Sequence, residues 1–379
     1  MALAIKRTPA LKAQVYDRLR GDIGGSAAGT QLEPERVLAE RLGVSRPTVR
    51  AALARLESEG LVERRQGDGT FVTELVGAKL IRVLYYHTQA GLQSGIYARC
   101  FAAMKAELEH FGHRVEAIAN PDPKHIPGPP VGEFPSDVPA DAVVTLGIMN
   151  SDYIAGLTEL SDTLVTVDYE CATVAADSVT FDSFGAGQIL GEHLIELGHT
   201  RMAFIGAHRG VGGPDGNARP ELDSVRMRAG WEFALLEHGL DIRRDRVLEL
   251  SMNFAEPAAE AARRMLSEDA PPTAILCRDC AHAAAIVDLA GELGLRVPGD
   301  LSIACYGACP VAADGETVVT GVVMDMEEMG AEAGSVVASR LDNGGSRRSR
   351  VNIPGRLVAG DSTGPAPGSG DQREGEDAR

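Results

Sequence analysis

Three side chains near the start of one short segment, Arg46, Thr48 and Arg50, carry the sharpest chemistry in the chain. An arginine guanidinium is a planar fork of donors that can pair with two acceptors on guanine or clamp a phosphate. In SRPTVRAALARLESEG, Val49, Ala52, Leu53 and Leu56 recur at i, i+3, i+4 and i+7. That spacing buries one stripe of a helix and leaves Arg46, Thr48 and Arg50 outside it, free to touch something. A second set of reactive groups is acidic. Asp168 ends the apolar run LVTVD, Asp182 ends VTFD, and Asp279 follows AILC. Acids at strand ends can accept hydrogen bonds from the hydroxyls of a polyol at fixed positions. Asp182 could equally cap the helix that follows it.

The elements that must position the arginines are local. A helix over about Glu35 to Leu42 breaks at Gly43 and restarts after Ser45, a good N-cap, with Pro47 where a first turn tolerates it. Gly60 stops the second helix, and LVERR, QGDG and TFVTEL read as strand, tight turn and strand. An earlier helix over residues 11–24, with Leu11, Val15, Leu19 and Ile23 four apart, packs beneath. This is a winged helix-turn-helix, which reads DNA with the first residues of its second helix.

The acids belong to a different architecture. After a short connector from Glu74 to Lys79, apolar strands alternate with helices from Leu80 to Thr363, the pattern of parallel sheets covered on both faces. Residues 120–139 interrupt it with seven prolines and read as a surface loop, and residues 364–379 are Gly, Pro and charge, expected to be a disordered tail. The fold class is therefore α/β with an N-terminal winged helix-turn-helix.

Charge is unevenly spread. The net is −17, yet residues 1–75 hold 12 Lys and Arg against 10 Asp and Glu, so the head is +2 and the remainder −19. DNA affinity must then rest on local arginine placement and dimerisation rather than on a global basic field. No uninterrupted apolar run is long enough for a membrane span, and MALAIKRTPALKAQ lacks a signal-peptide core, so a cytoplasmic protein without a membrane partner is expected. Six cysteines at irregular spacing make no disulfide framework, and reduced thiols are expected. Cys277 and Cys280, with Cys305 and Cys309, could converge as a zinc site. Their spacing departs from paired C-x-x-C motifs, and small buried thiols are favoured, with no metal and no cofactor. Trp231 reads as core.

From Leu11 to Val72 the sequence resembles the GntR-type winged-helix domain, through LEPERVLAERLGVSRPTVRAALARLESEGLVERRQGDGTFV. The resemblance implies that Arg36, Arg46, Thr48, Arg50, Gln66 and Gly67 face DNA. Glu33 and Pro34 stand where that family has Pro and Ser. From about Leu80 to Thr363 the chain resembles the LacI-type, periplasmic-binding-protein-like regulatory domain, through FDSFGAGQILGEHLIELGHTRMAFIG, PTAILCRD, LGLRVPGDLSIACYG, MEEMG and LVAGDST. This implies two subdomains, about residues 80–182 with 312–340 and 183–308 with 341–363, closing on a small effector. It matches Tyr97 to an aromatic pocket position. It places Arg226 at a pocket guanidinium, although Met227 occupies the family's arginine position between Arg226 and Arg228, and Gly307 replaces a usual Asp.

Together these imply a transcriptional regulator, most simply a repressor, that acts as a homodimer on a palindromic operator and is controlled by a carbohydrate-like effector held by Tyr97, Asp168, Asp182, Arg226 and Asp279. The alternatives are a constitutive DNA binder whose second domain only dimerises, and an enzyme fused to a DNA-binding head. An aminotransferase-like enzyme needs a Schiff-base lysine, and beyond the head only Lys79, Lys105 and Lys124 occur, none in such a context.

Overall fold

The computed structural model describes residues 11–24, 26–73, 78–85, 95, 97–119, 140–149, 151–171, 173–209, 219–220, 222–251, 255–278, 280–307, 309–311, 317–343 and 348–368. The expected proline-rich loop at 120–139 and most of the connector, residues 74–77, lie outside them.

The head comprises α1 (Leu11–Ile23), α2 (Glu35–Leu42), α3 (Arg46–Ser58), β1 (Val62–Arg65) and β2 (Gly69–Val72). Its core joins Val15, Tyr16, Leu19 and Ile23 of α1 to Leu38, Val49, Leu53 and Leu56, and closes on Val62 and Val72 of the hairpin. Leu11, expected on the buried face, is 56% exposed, and Tyr16 takes the place instead. The Arg55 guanidinium lies 3.9 Å over the Tyr16 ring, and burial, aided by the bond to Glu59, pushes the phenol up to about 12. Gly43 ends α2 in the left-handed region at φ 66°, where glycine pays no Cβ penalty. Ser45 Oγ accepts from the Thr48 amide and caps α3. At the start of α2, Pro34 supplies no side-chain cap, and Glu33 pairs with Arg41 at 2.8 Å.

The chain divides into two compact units, residues 1–178 with 330–349 and residues 179–329 with 350–379. The first contains the head, β3 (Leu80–Tyr85), α4 (Ala98–His110), β4 (Arg114–Ala119), β5 (Ala142–Leu146), α5 (Ser151–Leu157) and β6 (Leu164–Val167). β7 (Asp177–Phe181) carries the boundary within it, after Ser178. The pairings β3 to β4, β3 to β5 and β5 to β6 are all parallel. The central strands β5 and β6 are apolar but for Thr145 and Thr166 because both faces are covered; every residue of Ala142–Leu146 and Leu164–Val167 is buried. The whole sheet reads β15-β7-β6-β5-β3-β4, where β15 spans Arg350–Ile353.

The second unit runs through α6 (Ser183–Glu196), β8 (Met202–Arg209), β9 (Arg219–Pro220), α7 (Leu222–Glu237), β10 (Val247–Ser251), α8 (Ala255–Leu266), β11 (Ala274–Cys277), α9 (Cys280–Glu292), β12 (Ser302–Tyr306), β13 (Cys309–Val311) and β14 (Thr317–Val323). α10 (Met326–Asn343) starts there and continues into the first unit, after which β15 (Arg350–Ile353) and β16 (Arg356–Val358) follow. The sheet order is β10-β8-β11-β12-β14-β13, parallel except for β13 and β16 on β14 and β9 on β8. α6 and α7 pack backbone to backbone: a Cβ on Gly187 would sit 1.9 Å from the Met227 carbonyl, and one on Gly230 1.9 Å from that of Phe184. Trp231 is buried against Phe204, as core.

Two expectations need correction. Residues 312–340 were expected with the first subdomain, but β14 pairs with β12 in the second unit's sheet and the return to the first unit comes only at Gly330. Conversely, residues 341–349 belong to the first unit rather than the second. The start of the expected tail is packed. Gly364 donates to Ser302 Oγ at 3.1 Å, Ala366 to the Leu197 carbonyl at 2.8 Å, and Ala366 is buried.

A buried carboxylate closes the first unit. Asp177, fully buried at the start of β7, accepts from Arg340 Nε at 2.9 Å and from the Ser349 amide at 2.7 Å, with Arg348 at 3.8 Å. In the second unit a buried histidine has a comparable role. His199 is joined through Nδ1 to Thr273 at 2.9 Å and through Nε2 to Ser302 and the Gly364 carbonyl, each at 3.0 Å. Burial lowers its pKa, against the bond to Gly364, and burial also lowers His193. The folded state therefore favours the neutral ring. The stability this provides is complete above the unfolded histidine pKa, about 6.5, and is lost as pH falls below it. Urea titrations across pH 7 to 5 should show stability falling with acid, at up to about 1.4 kcal/mol per pH unit for each such group. His199→Gln should flatten that slope, and an unchanged slope would refute the assignment.

Candidate functional site

α3 projects its first turn from the head. Arg46 and Arg50 are exposed, Thr48 is half-buried, and Gln66 and Gly67 are exposed at the tip of the β-hairpin. The hairpin register, Val62 with Val72 to Arg65 with Gly69, leaves Gln66, Gly67 and Asp68 as the turn, with Gly67 at φ 82°. Gln31 braces it from beneath, donating to the Asp68 carbonyl at 2.5 Å and bridging to Phe71. A side chain at Gly69 would collide with Gln31, so wing and brace are fitted to each other. Arg65 stacks on Phe71 at 4.4 Å.

The expected DNA-facing arginines differ in their present partners. Arg50 is held in a fork by Glu35, Nε at 3.1 Å and Nη2 at 2.8 Å. The bond from Arg50 is the main reason that the Glu35 carboxyl lies below its usual range. Arg64 also approaches Glu35, at 3.8 Å, and bonds Glu57 at 3.2 Å. Arg36 pairs with Glu40 at 3.4 Å on an exposed helix face. Thr48 Oγ1 is within 2.8 Å of Ser45 Oγ, so its hydroxyl is occupied in the cap. The head is tied to the lobe behind it by Arg20 of α1, 3.1 Å from Asp141, which also accepts from the Leu80 amide at 2.8 Å.

The order β4-β3-β5-β6 in the first unit reverses direction beside β3, and ligands of open α/β sheets bind at the carboxyl ends of strands at such a switch point. Several aromatic and acidic groups collect there. Tyr85 ends β3, Gly147 follows β5, Asp168 follows β6, and Tyr97 precedes α4. The Tyr97 hydroxyl donates to Asp168, and its ring meets Tyr85 edge-on at 5.9 Å. Asp168 is the one non-glycine with positive φ, 63°, among the described residues. Such a conformation costs a non-glycine residue on the order of 1 kcal/mol, although aspartate tolerates it better than most, and strained residues cluster at ligand sites. Two of the expected effector residues, Tyr97 and Asp168, are thus brought together.

The second unit repeats the arrangement with different residues. Its switch point lies between β8 and β11, where the Arg278 amide donates to the Ile205 carbonyl at 2.8 Å. The Arg278 side chain stacks on Tyr306 at 4.4 Å and approaches Asp223 at 3.8 Å, which in turn accepts from Ser183 at 3.2 Å. Glu249 accepts from Ser224 at 2.9 Å and faces Arg228 at 3.5 Å. Arg228 is therefore engaged with internal acids, while Arg226 is half-buried on α7. Asp182 caps α6, its Oδ1 accepting from the Gly185 amide at 2.9 Å, which is the plainer of its two readings. Asp279 lies outside the described residues. Arg278, Asp223 and Tyr306 were missed by the sequence reading. Their signal was position alone: Arg278 follows β11, Tyr306 ends β12 and Asp223 lies in the first turn of α7. Among the described residues no group of three or more His, Cys, Asp and Glu side chains is placed to hold a metal ion.

Comparison with known proteins finds matches to both parts of the chain. Residues 11–72 match the bacterial regulatory proteins of the gntR family, and residues 192–363 match the periplasmic binding protein-like domain. The arabinose metabolism transcriptional repressor of Geobacillus stearothermophilus is 24% identical over 347 residues, covering 86% of this chain and 91% of that protein. A LacI family transcriptional regulator from Mycobacterium smegmatis superposes with TM-score 0.56 at 23% identity, over 75% of this chain and 99% of its own. A LacI family regulator from Enterococcus faecium, solved with bound ribose, does so with TM-score 0.54 at 17% identity, over 76% and 99%. The chain thus carries a gntR-family match over residues 11–72 and a periplasmic binding protein-like match over residues 192–363, in a fold shared with LacI family regulators.

The Tyr97–Asp168 corner makes a direct structural prediction. Gly147 sits at φ 70°, and a Cβ there would lie 2.8 Å from the Tyr97 ring. Gly147→Ala should therefore destabilise by about 1–3 kcal/mol through the left-handed backbone and displacement of Tyr97. Denaturant unfolding measures this, and a neutral substitution would show that the ring is not held against the turn.

Proposed function

We propose that this union of a GntR-type head and a LacI-type domain is a sequence-specific DNA-binding transcriptional regulator, most simply a repressor, whose operator affinity is set by a small carbohydrate-like effector. The observation that carries the reading is the exposed N-terminal part of α3, with Arg46 and Arg50 in solvent, together with an exposed wing tip at Gln66 and Gly67. A relative that aligns along both parts of the chain is a repressor of arabinose metabolism, and a structural relative holds ribose. The tyrosine–carboxylate pair at the carboxyl edge of the first unit is chemistry suited to hydroxyl groups. A homodimer on a palindromic operator follows from geometry, because one reading helix covers too few base pairs for specificity.

Arg36, Arg46, Thr48, Arg50, Gln66 and Gly67 are assigned to DNA, and Tyr97, Asp168, Arg226 and Asp279 to the effector. Asp182 serves first as a helix cap. No helix among the described residues is long and apolar enough to cross a membrane.

DNA selected from a random pool by the intact protein provides the probe. Arg46→Ala and Arg50→Ala should each weaken its binding by about 1–3 kcal/mol at fixed salt, the worth of a base contact. Unchanged affinity in both would remove α3 as the reading helix.

The effector reading is tested separately by thermal shift with pentoses, hexoses and polyols, since a ligand of the folded state raises its stability. Asp168→Asn should abolish the shift given by any sugar that binds, at a cost of roughly 2 kcal/mol in affinity. A sugar that stabilises this variant as well as the original would move the site elsewhere. Sugar binding that leaves DNA affinity unchanged would favour a constitutive DNA binder.

A further inference from the structure

Two thiols in the second unit stand in a relation that the regulatory reading does not use. Cys280 opens α9 and Cys305 lies in β12, and their sulfurs are 3.7 Å apart. We propose that Cys280 and Cys305 are a modification site, a thiol pair that a hydroperoxide converts to a reversible intramolecular disulfide. Both sulfurs sit over one turn: Cys280 Sγ is 3.8 Å from the Tyr306 carbonyl oxygen and 3.7 Å from that of Gly307, and Cys305 Sγ is 2.7 Å from the Gly307 oxygen. Closing the bond requires the sulfurs to approach to about 2.05 Å.

The two cysteines divide the chemistry between them. Cys305 is fully buried, in the core cluster with Cys277, Ala283 and Ile286, whereas Cys280 is only partly buried at its edge. An oxidant in solution therefore meets Cys280 first. Cys280 is also the first residue of a 13-residue helix, and the thiolate is the reactive species. The Cys280 thiolate attacks the peroxide oxygen; the S–O bond forms as O–O breaks, and the departing oxygen leaves protonated as water or alcohol. The Cys305 sulfur then attacks the sulfenic sulfur of Cys280. The S–S bond forms as S–O breaks, and the hydroxide takes the Cys305 proton and leaves as water. Two thiols have lost two electrons and the peroxide has gained them. A dithiol reductant reverses the step by exchange.

A disulfide here would fasten the first turn of α9 to the end of β12, the two elements that flank Arg278 and carry Tyr306. Its consequence for ligand binding rests on the effector reading above, whereas the disulfide itself does not. The test accordingly reads the thiols with no sugar and no DNA present. The reduced full-length chain is exposed to graded hydrogen peroxide, its remaining thiols are alkylated, and the digest is mapped by mass spectrometry. Four of the six cysteines should stay alkylable. One cross-linked peptide pair should join Cys280 to Cys305, and dithiothreitol should restore all six thiols. Amide exchange in the first turn of α9 should slow in the oxidised form and recover on reduction. Cys280→Ser should abolish both changes, and Cys305→Ala, which keeps the core apolar, should leave Cys280 as a sulfenic acid that a dimedone probe captures. Six alkylable thiols after peroxide, oxidation of Cys280 to a sulfinic acid without a cross-link, or a cross-link to any other cysteine would each overturn the proposal. The wild-type map decides these outcomes even if a variant fails to fold.

Discussion

A carboxylate cannot be taken out of water alone, and the burial of Asp177 constrains how the regulatory part of the chain is threaded. The charge sits at the residue where β7 begins, one residue before the last of the first unit's main segment. Its partners come from the far end of the sequence. Arg340 lies on α10, and the Ser349 amide is the final residue of the segment by which the chain revisits that unit. Removing either partner would leave a buried ion uncompensated, a loss of about 3–5 kcal/mol, whereas well-packed apolar replacements of a whole pair can be neutral. Such a pair therefore contributes less to net stability than to register. It specifies where α10 ends and which residue follows β6 in the sheet. The Ser178 amide, bonded to the Ser349 carbonyl at 3.0 Å, locks the neighbouring strand in the same register.

With those chain ends fixed, α10 can approach α4 at backbone distance. Gly330 and Gly334, one turn apart, face the Cys100 carbonyl and the Glu107 side chain, and a Cβ at Gly330 would lie 2.0 Å from the Cys100 oxygen. Cys100 is buried under Asp168, and burial first, with that carboxylate second, pushes its thiol up to about 12. The contact thus runs from the packing of two helices to the residue that holds Tyr97.

The head was legible almost residue by residue because its signals are local. Glycines at 43 and 60, a serine cap at 45 and an i, i+3, i+4, i+7 stripe act within a few residues of where they stand. Leu11 misled because a four-residue spacing continues into the first, solvent-facing turn of a helix. In the regulatory part, the alternation of strands and helices announced parallel sheets, but the membership of β14 depended on pairing with β12 and could not be read from its own residues. The same holds for the candidate site. Asp168 was visible as an acid after a strand, while its partner Tyr97 lies 71 residues away and was placed only through resemblance. Arg278, Tyr306 and Asp223 meet through the fold, across separations no local pattern encodes.

The fork between Glu35 and Arg50 has a consequence for ions. An arginine waiting in solvent keeps no fixed anion, so a DNA phosphate that takes it displaces condensed cations from the duplex, steepening the dependence of affinity on salt by about 0.9 per phosphate in logarithmic terms. Arg50 already holds a carboxylate at 2.8 Å. If it turns to a duplex it exchanges one anion for another, and Glu35 is left to recruit Arg64 or a cation from solvent. Cations released from the duplex at this position are then partly recaptured by the protein. If this helix reads DNA, a count of its arginines therefore overstates the salt sensitivity of the complex.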